Sequence, residues 1–268
     1  MPDVRAKRAA LTLFALAAVL VLFRIGSADG PVGHAVGHAA RPPNSDVAYF
    51  GCGCFWHVQH DVVTRVEEGA LGRMADRELS AFTGYAGGLR ASNDGKVCYH
   101  SGALFGNADN ADYGALGHAE VVSLALDVSN ATLAARVAQI FFDSTCVGGV
   151  RRDLQDVGAE YRSLIGLPGG LASPAARPFQ AAAARRGISL QAGEGADPDK
   201  RGVVYVMDTA RFPFYQAETF HQFHDDMSEA YGGAYNALRV RYEASGAIGP
   251  TGCPRDRGAA GPSLGAFN

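Results

Sequence analysis

The hexapeptide GCGCFW occupies residues 51–56, directly after a short apolar run at residues 47–50 and before an amphipathic pattern. This order predicts a strand, a glycine turn and a helix. Cys54 would then lie in the first helical turn, where unpaired N–H groups and the macrodipole favour a thiolate. The aromatic residues Phe55 and Trp56 follow it. The spacing predicts either a nucleophile for a small polarisable substrate or a buried structural cysteine, and does not by itself separate the two.

The composition is that of an ordinary globular protein. The chain has 268 residues, 47% hydrophobic and 19% charged, which is enough for one good-sized domain or two small ones. A net charge of -3 argues against a nucleic-acid partner. The cysteines at positions 52, 54, 98, 146 and 253 are odd in number and lack paired C-x-x-C spacing. We therefore expect at least one free thiol and no metal site.

Residues 1–28 have the features of a targeting segment. Three basic residues precede an apolar run at residues 9–23, and small residues follow it. As a helix this run would span about 22 Å, less than the ~30 Å hydrocarbon core of a bilayer. The pattern predicts a secretory signal peptide, with an uncleaved signal anchor that holds the protein to a membrane as the alternative. Either segment would direct the chain to the secretory route or an organelle lumen.

The remaining chain divides by composition into three parts. Residues 29–45 are rich in Gly, Pro, Ala and His, contain His34 and His38, and are predicted to form a linker. Residues 46–245 are predicted to form the catalytic domain, and residues 246–268 a mobile tail that contains Cys253.

Hydrophobic periodicity places the secondary structure within this domain. It predicts strands at residues 47–50, 79–83, 117–128, 161–165 and 203–207, and helices from residue 130, at 175–186 and within 214–235. Asn130 is a good N-cap residue and also begins a glycosylation sequon. Strands and helices mix without regular alternation, which predicts an α+β sandwich rather than a doubly wound sheet.

Chemistry at Cys54 needs helper groups. At an unperturbed pKa of ~8.5, only a few per cent of a thiol is ionised at neutral pH. Attack on an oxidised sulfur also requires an acid that protonates the departing oxygen. Tyr85 and Tyr161, each after a glycine-containing turn or loop, and Asp156 are candidate donors.

Six short blocks occur in one order along residues 47–225. They are GCFW (53–56), GYAGG (84–88), VC (97–98), GHAE (117–120), DVG with YRS (156–163), and FYQAE with HQ (214–222). Together they resemble the A-type peptide methionine sulfoxide reductases. The resemblance implies a two-layer α/β sandwich with a mixed sheet. It also implies thiol-dependent reduction of methionine-S-sulfoxide, free or in proteins, which repairs oxidised proteins in the response to oxidative stress.

The resemblance assigns roles to individual residues. Cys54 would attack the sulfoxide sulfur, release methionine and become a sulfenic acid. Phe55 and Trp56 would bind the S-methyl group of the substrate. Tyr85 and Tyr161 would bind the sulfoxide oxygen, and Asp156 would organise the site through water.

One position departs from the pattern that the resemblance implies. The resemblance leads us to expect an acidic glutamate two residues before Cys98, where this chain has Lys96. Lys96 is then a candidate proton donor, but with an unperturbed pKa of ~10.4 it is a weak acid; Asp94 could substitute. His118 and Glu120 are interpreted as residues that fix turns or hydrogen-bond networks. A weakly active or non-catalytic methionine-sulfoxide-binding protein is one alternative function, and a thiol peroxidase or redox sensor is another.

Recycling would need a second cysteine and an external thiol reductant, thioredoxin-like or dithiothreitol, with no other cofactor. Cys253 and Cys98 are the candidates for the resolving cysteine, ahead of Cys52, whose disulfide with Cys54 would close a strained short loop. We expect a monomer.

Overall fold

The computed structural model describes residues 46–100, 111–253 and 256, which all belong to one unit. The predicted targeting segment, the linker and residues 257–268 lie outside the described residues. Of the helices that the structure does describe, none is both long and apolar enough to span a bilayer.

A seven-stranded mixed sheet forms the centre of the domain. Its strands are β1 (Asp46–Gly51), β2 (Thr83–Ala86), β3 (Ala119–Leu126), β4 (Leu164–Leu167), β5 (Ser189–Ala192), β6 (Val203–Asp208) and β7 (Tyr215–Gln216). Their order across the sheet is β5-β6-β4-β1-β3-β2-β7. The pairs β4–β6 and β5–β6 are parallel, and the other pairs are antiparallel.

The helices cover one face of this sheet. They are α1 (Phe55–Asp61), α2 (Ala131–Ile140), α3 (Arg177–Arg185) and α4 (Gly233–Ala244), and π-helical turns extend α1 to Glu68 and α2 to Thr145. Their buried apolar side chains share one hydrophobic cluster with Ala48 and Phe50 of β1, whereas Tyr49 lies in a second cluster on the other face. Side chains alternate along a strand, so β1 supplies both clusters. The mixed sheet with helices confirms the predicted α+β sandwich.

The local predictions succeed where the pattern is strong. β1, β3, β6 and α3 lie within or close to their predicted positions, and the Asn130 side chain accepts the N–H of Leu133 as an N-cap. The predicted strand at 79–83 is displaced, because β2 begins only at Thr83 and runs through the predicted glycine turn. Gly84 lets β7 approach: a side chain there would collide with Phe214 and the carbonyl of Tyr215.

The predicted helix within residues 214–235 is wrong. This segment contains β7, a short 3₁₀ turn at Thr219–His221 and irregular chain, and α4 begins at Gly233. The tail beyond residue 245, predicted to be mobile, folds against the domain in its described part. Ala247, Ile248 and Cys253 are buried there.

Four of the five cysteines form disulfides, all of them within the described residues. Cys52 is bonded to Cys146 and Cys98 to Cys253, which leaves Cys54 as the free thiol. The two candidates for the resolving cysteine are therefore bonded to each other. Cys52, the third candidate, is occupied elsewhere.

The fully buried guanidinium of Arg162 connects three segments of chain. It donates hydrogen bonds to the carbonyl oxygens of Gly87 (3.0 Å), Gly117 (3.0 Å) and Ala159 (2.7 Å). These carbonyls lie just after β2, just before β3 and in the loop that precedes β4. Hydrogen bonds from a charged donor are the stronger kind, so Arg162 fixes the relative positions of these segments.

We expect Arg162→Met to lower the free energy of unfolding by roughly 3–5 kcal/mol, because three buried carbonyls lose a charged donor. Urea unfolding of the oxidised protein measures this. The matched control Arg136→Met, at an exposed position of α2, should change stability by less than about 0.5 kcal/mol. Equal stability of the two variants would show that Arg162 does not hold the segments together.

Candidate active site

Cys54 lies at the turn between β1 and α1, and Gly53 makes that turn possible sterically. Gly53 has a φ of +83°, and its N–H donates to the carbonyl of Tyr161 at 3.1 Å. A Cβ on Gly53 would be only 2.9 Å from both Arg151 Cβ and Asp156 Oδ2. Glycine is thus required twice, for the backbone conformation and for the close approach of Asp156.

Two carboxyl groups accept the backbone N–H groups at the start of α1. The N–H of Cys54 donates to Asp156 Oδ2 at 2.9 Å, and that of Phe55 donates to Glu120 Oε2 at 2.8 Å. The next N–H, from Trp56, hydrogen-bonds the sulfur of Cys54 and favours its thiolate. The first N–H groups of any α-helix have no partner within the helix. At this site they bind the two carboxyl groups and the sulfur of Cys54.

The pKa of the Cys54 thiol is nevertheless raised overall. Burial is the largest cause, and the negative charge of Glu120 is the next. Asp156 and Asp226 act in the same direction, and only the Trp56 N–H opposes them. The helix start favours the thiolate as predicted, but burial and nearby carboxylates outweigh it.

Glu120 is a buried acid at this site. Its Oε1 accepts the hydroxyl of Tyr113 at 3.2 Å, and burial raises its pKa to about 8 despite the opposing hydrogen bond from Phe55. The carboxyl group therefore carries a proton at neutral pH. The sequence analysis interpreted Glu120 as a turn-fixing residue, and that interpretation missed its place beside Cys54.

A signal for Glu120 exists in the strand pattern. Val122, Leu124 and Leu126 of β3 all face the helix-covered core. Glu120 has the same phase, because side chains on one face repeat every second residue. An ionisable residue at a core-facing position is a functional candidate.

Lys96, the proton donor that the resemblance suggested, forms an ion pair with a carboxylate. Lys96 Nζ lies 2.6 Å from Asp94 Oδ2, and its side chain lies against Gly252. Hydrogen bonds from Lys96 and then Ser92 hold the pKa of Asp94 at about 2. Asp94 is therefore ionised at neutral pH and has no proton to donate, so it cannot substitute. The carboxyl group that contacts the start of α1 is Glu120.

Aromatic rings surround Cys54 on the side of α1. Phe55 is buried, with its ring centroid 6.4 Å from that of Trp56, 6.0 Å from Tyr85 and 5.1 Å from His221. Trp56 is partly exposed and stacks on His224 at 4.3 Å. The structure thus brings the two predicted pocket residues together in an apolar, aromatic setting that suits a methyl group.

The two predicted tyrosines have different surroundings. Burial raises the pKa of Tyr161, and Glu120, Tyr99 and Cys54 are among the groups that raise it further. The backbone carbonyl of Tyr161 accepts the N–H of Gly53, the neighbour of Cys54, at 3.1 Å. Tyr85 is fully buried and donates its hydroxyl to Glu218 at 2.8 Å. The structure therefore brings Tyr161 to the site and commits the hydroxyl of Tyr85 to another carboxyl group.

One cluster of described residues has the composition of a metal site. Sulfur atoms of Cys98 and Cys253 and a carboxyl oxygen of Glu218 lie within 4.8 Å of one another. The two sulfurs are bonded to each other, which leaves no thiolate to hold a metal ion.

No protein-family model matches the chain, but curated relatives do. Peptide methionine sulfoxide reductase MsrA of Geobacter sulfurreducens is 28% identical over 176 residues, which are 65% of this chain and 86% of the relative. The protein of the same name from Geobacter metallireducens is 27% identical over 185 residues, which are 67% and 90% of the two chains.

Solved structures show weaker likenesses. Methionine sulfoxide reductase A of Corynebacterium diphtheriae is 19% identical with a TM-score of 0.42, over 71% of this chain and 78% of that one. Reduced Mxr1 of Saccharomyces cerevisiae is 16% identical with a TM-score of 0.43, over 77% and 97%. At these values the likenesses do not by themselves establish a shared site.

We expect Glu120→Gln to lower the pKa of Cys54, because the substitution removes the negative charge that Glu120 carries above about pH 8 and keeps a hydrogen-bond acceptor. The rate of iodoacetamide alkylation should then rise at a lower pH than in the unsubstituted protein. Asp226→Asn is the matched control, and its shift should be smaller and in the same direction. Superimposable profiles for Glu120→Gln and the unsubstituted protein would contradict the assigned proximity.

Proposed function

We propose that this chain is a divergent member of the peptide methionine sulfoxide reductase A family and that it reduces methionine sulfoxide to methionine through Cys54. The observation that carries the proposal is the pairing of its free thiol with the protonated buried carboxyl group of Glu120. The curated relatives, of which the chain covers 86% and 90%, support the reaction class by their names.

Binding begins with the aromatic side chains. The S-methyl group of the substrate lies against Phe55 and Trp56, where it leaves water. The sulfoxide oxygen then points toward Tyr161, whose raised pKa keeps its hydroxyl protonated as a hydrogen-bond donor. A fixed methyl site and a fixed oxygen site around one nucleophile select one epimer, which is the S form that the resemblance implies.

The chemical step transfers one oxygen atom. Cys54 attacks the substrate sulfur and forms a bond to it, Glu120 protonates the sulfoxide oxygen, and the proton that leaves the thiol returns to the Glu120 carboxylate. The hydroxyl group then moves from the substrate sulfur to Cys54, the bond between the two sulfur atoms breaks, and methionine departs. Cys54 is oxidised by two electrons to a sulfenic acid, and the substrate sulfur is reduced by two.

The proton on Glu120 serves this step in two ways. It is the proton that the departing oxygen needs. While it is present, Glu120 is neutral and does not oppose the Cys54 thiolate. Asp156 supports the arrangement by holding the backbone N–H of Cys54.

Recycling requires two thiol equivalents for each sulfenic acid. Cys98 and Cys253 are bonded to each other, so an external dithiol of the thioredoxin-like class opens this bond before Cys253 attacks oxidised Cys54. A small dithiol such as dithiothreitol can also reduce the sulfenic acid directly. No prosthetic group takes part in this scheme, and the export route, membrane attachment and monomeric state stay predictions.

We expect the full chain, given dithiothreitol at neutral pH, to convert the S epimer of a chiral methyl sulfoxide to the thioether and to leave the R epimer unchanged. Chromatography of the thioether measures the rate. Cys54→Ser should abolish the reaction because the nucleophile is lost, and Glu120→Gln should slow it by roughly 10²–10⁴ because the proton donor is lost. Undiminished turnover by Cys54→Ser would refute the mechanism.

A substitution at Lys96 distinguishes an active reductase from the alternative function, a methionine-sulfoxide-binding protein in which proton donation to the sulfoxide oxygen is impaired. We expect Lys96→Glu to change the rate by less than about threefold, because Lys96 contacts Asp94 and Glu120 is the donor. A gain of about 10² or more would favour the impaired binding protein and exclude Glu120 as the acid.

A further inference from the structure

A second acid lies beside the Cys98–Cys253 disulfide. A carboxyl oxygen of Glu218 and both sulfur atoms lie within 4.8 Å of one another, and all three residues are buried. The carboxyl group accepts the N–H of Tyr99 at Oε1 and the hydroxyl of Tyr85 at Oε2, each at 2.8 Å. These two donors hold the carboxyl group in place next to the disulfide.

The surroundings of Glu218 raise its pKa and favour the protonated carboxyl group. Burial is the main cause of its raised pKa, and Asp256 raises it further, whereas the hydrogen bonds from Tyr99 and Tyr85 oppose the shift. Among the described residues, other titratable groups in this region include His221, whose Nε2 lies 3.9 Å from Oε2, and Lys96, whose side chain lies against Gly252 beside Cys253.

Opening a buried disulfide creates a chemical need for such a proton. A thiolate attacks one sulfur, and the other sulfur leaves as a thiolate inside the protein. An unpaired charge in that setting is costly unless it is neutralised. Proton donation to the leaving sulfur removes this cost, provided that the donor is within direct reach or one water away.

We propose that Glu218 is the general acid–base of a redox-active Cys98–Cys253 disulfide. A thiolate of an external dithiol bonds to Cys253, the disulfide breaks, and its electron pair goes to Cys98, which takes the proton of Glu218. The second thiol of the reductant then attacks its own bound sulfur and releases Cys253, which also ends as a thiol. The reductant leaves as a disulfide, and the reverse reaction returns a proton from Cys98 to Glu218. This inference is independent of what Cys54 reduces.

The turn that carries Cys253 is built to stay near this acid. The Asp256 carboxylate accepts the N–H of Cys253 at 3.1 Å, the hydroxyl of Thr251 at 2.9 Å and the N–H of Gly252. The hydroxyl of Thr219, next to Glu218 in sequence, donates to the Asp256 carbonyl at 3.0 Å. These bonds do not involve the disulfide, so they hold the turn over Glu218 after the disulfide opens.

In the part of the chain that the structure describes, the polar side chain next to the other disulfide is a serine rather than an acid. Cys52 and Cys146 are fully buried, and the hydroxyl of Ser163 lies 3.3 Å and 3.5 Å from their sulfur atoms. A serine hydroxyl does not supply a proton at neutral pH. Cys52–Cys146 is therefore structural, and it serves as a control inside the same molecule.

The test measures the opening of each disulfide by dithiothreitol in the full Cys54→Ser chain between pH 5.5 and 9. Acid quenching, alkylation and peptide mass spectrometry follow the two disulfides separately. Each rate is corrected for the fraction of the reductant that is thiolate at that pH. The corrected rate of Cys98–Cys253 opening should fall as pH rises and Glu218 loses its proton. Glu218→Gln should slow opening by roughly 10² or more and remove this pH dependence. The Cys52–Cys146 rate should change by less than about threefold.

Glu218→Asp completes the test, because it restores a carboxyl group. It should recover the falling pH dependence and part of the rate. A Glu218→Gln variant that opens Cys98–Cys253 at the original rate and with the original profile would overturn the proposal. If Glu218→Gln loosened the fold, both disulfides would open faster. The Glu218→Asp variant would then decide, because a pH profile of Cys98–Cys253 opening in Glu218→Asp that matches the profile of Glu218→Gln would count against the proposal. Failure of sulfoxide reduction would leave all of these results unchanged.

Discussion

The buried guanidinium of Arg162 is the interaction on which the arrangement of the site depends. Its three carbonyl acceptors lie next to β2, next to β3 and in the loop before β4. The first strand carries Tyr85, the second carries Glu120, and the loop carries Asp156 and Tyr161. Burial lowers the pKa of Arg162, so keeping the charge inside costs free energy, which the three charge-assisted bonds offset. One residue without an assigned chemical role thus sets the distances among those that have one.

Tyr85 connects two pairs, each of which consists of a buried glutamate and a cysteine sulfur. The pairs are Glu120 with Cys54 and Glu218 with the Cys98–Cys253 disulfide. Tyr85 lies opposite Glu120 in the β2–β3 register, and its hydroxyl donates to Glu218. Burial raises the pKa of both carboxyl groups, to about 8 for Glu120, and so favours the protonated form of each. A desolvated glutamate would therefore donate the proton in both reactions, the removal of oxygen at Cys54 and the opening of the Cys98–Cys253 disulfide.

Local sequence signals predicted the strand, turn and helix at residues 46–61, the Asn130 cap and the alternation of β3, because short-range sterics and hydrogen bonds determine them. The cysteine pairs could not be predicted, since their partners are 94 and 155 residues apart and a sequence holds no local sign of such contacts. The resemblance suggested Lys96 as the acid, whereas the core-facing phase of Glu120 in β3 marks a buried carboxyl group. The helix within 214–235 failed because pairing of β7 with β2 is a tertiary effect.

The positions of the two disulfides also determine which pair of cysteines is complete first during synthesis of the chain. Cys52 and Cys146 are both present once little more than half of the chain has been made. Cys98 must wait for Cys253, which is synthesised more than 100 residues later. During that interval Cys98 could be captured by an earlier cysteine, and early closure of Cys52–Cys146 removes two of the three competitors. Early closure of the bond next to the Cys54 turn would therefore favour the later pairing at the C-terminal end of the domain.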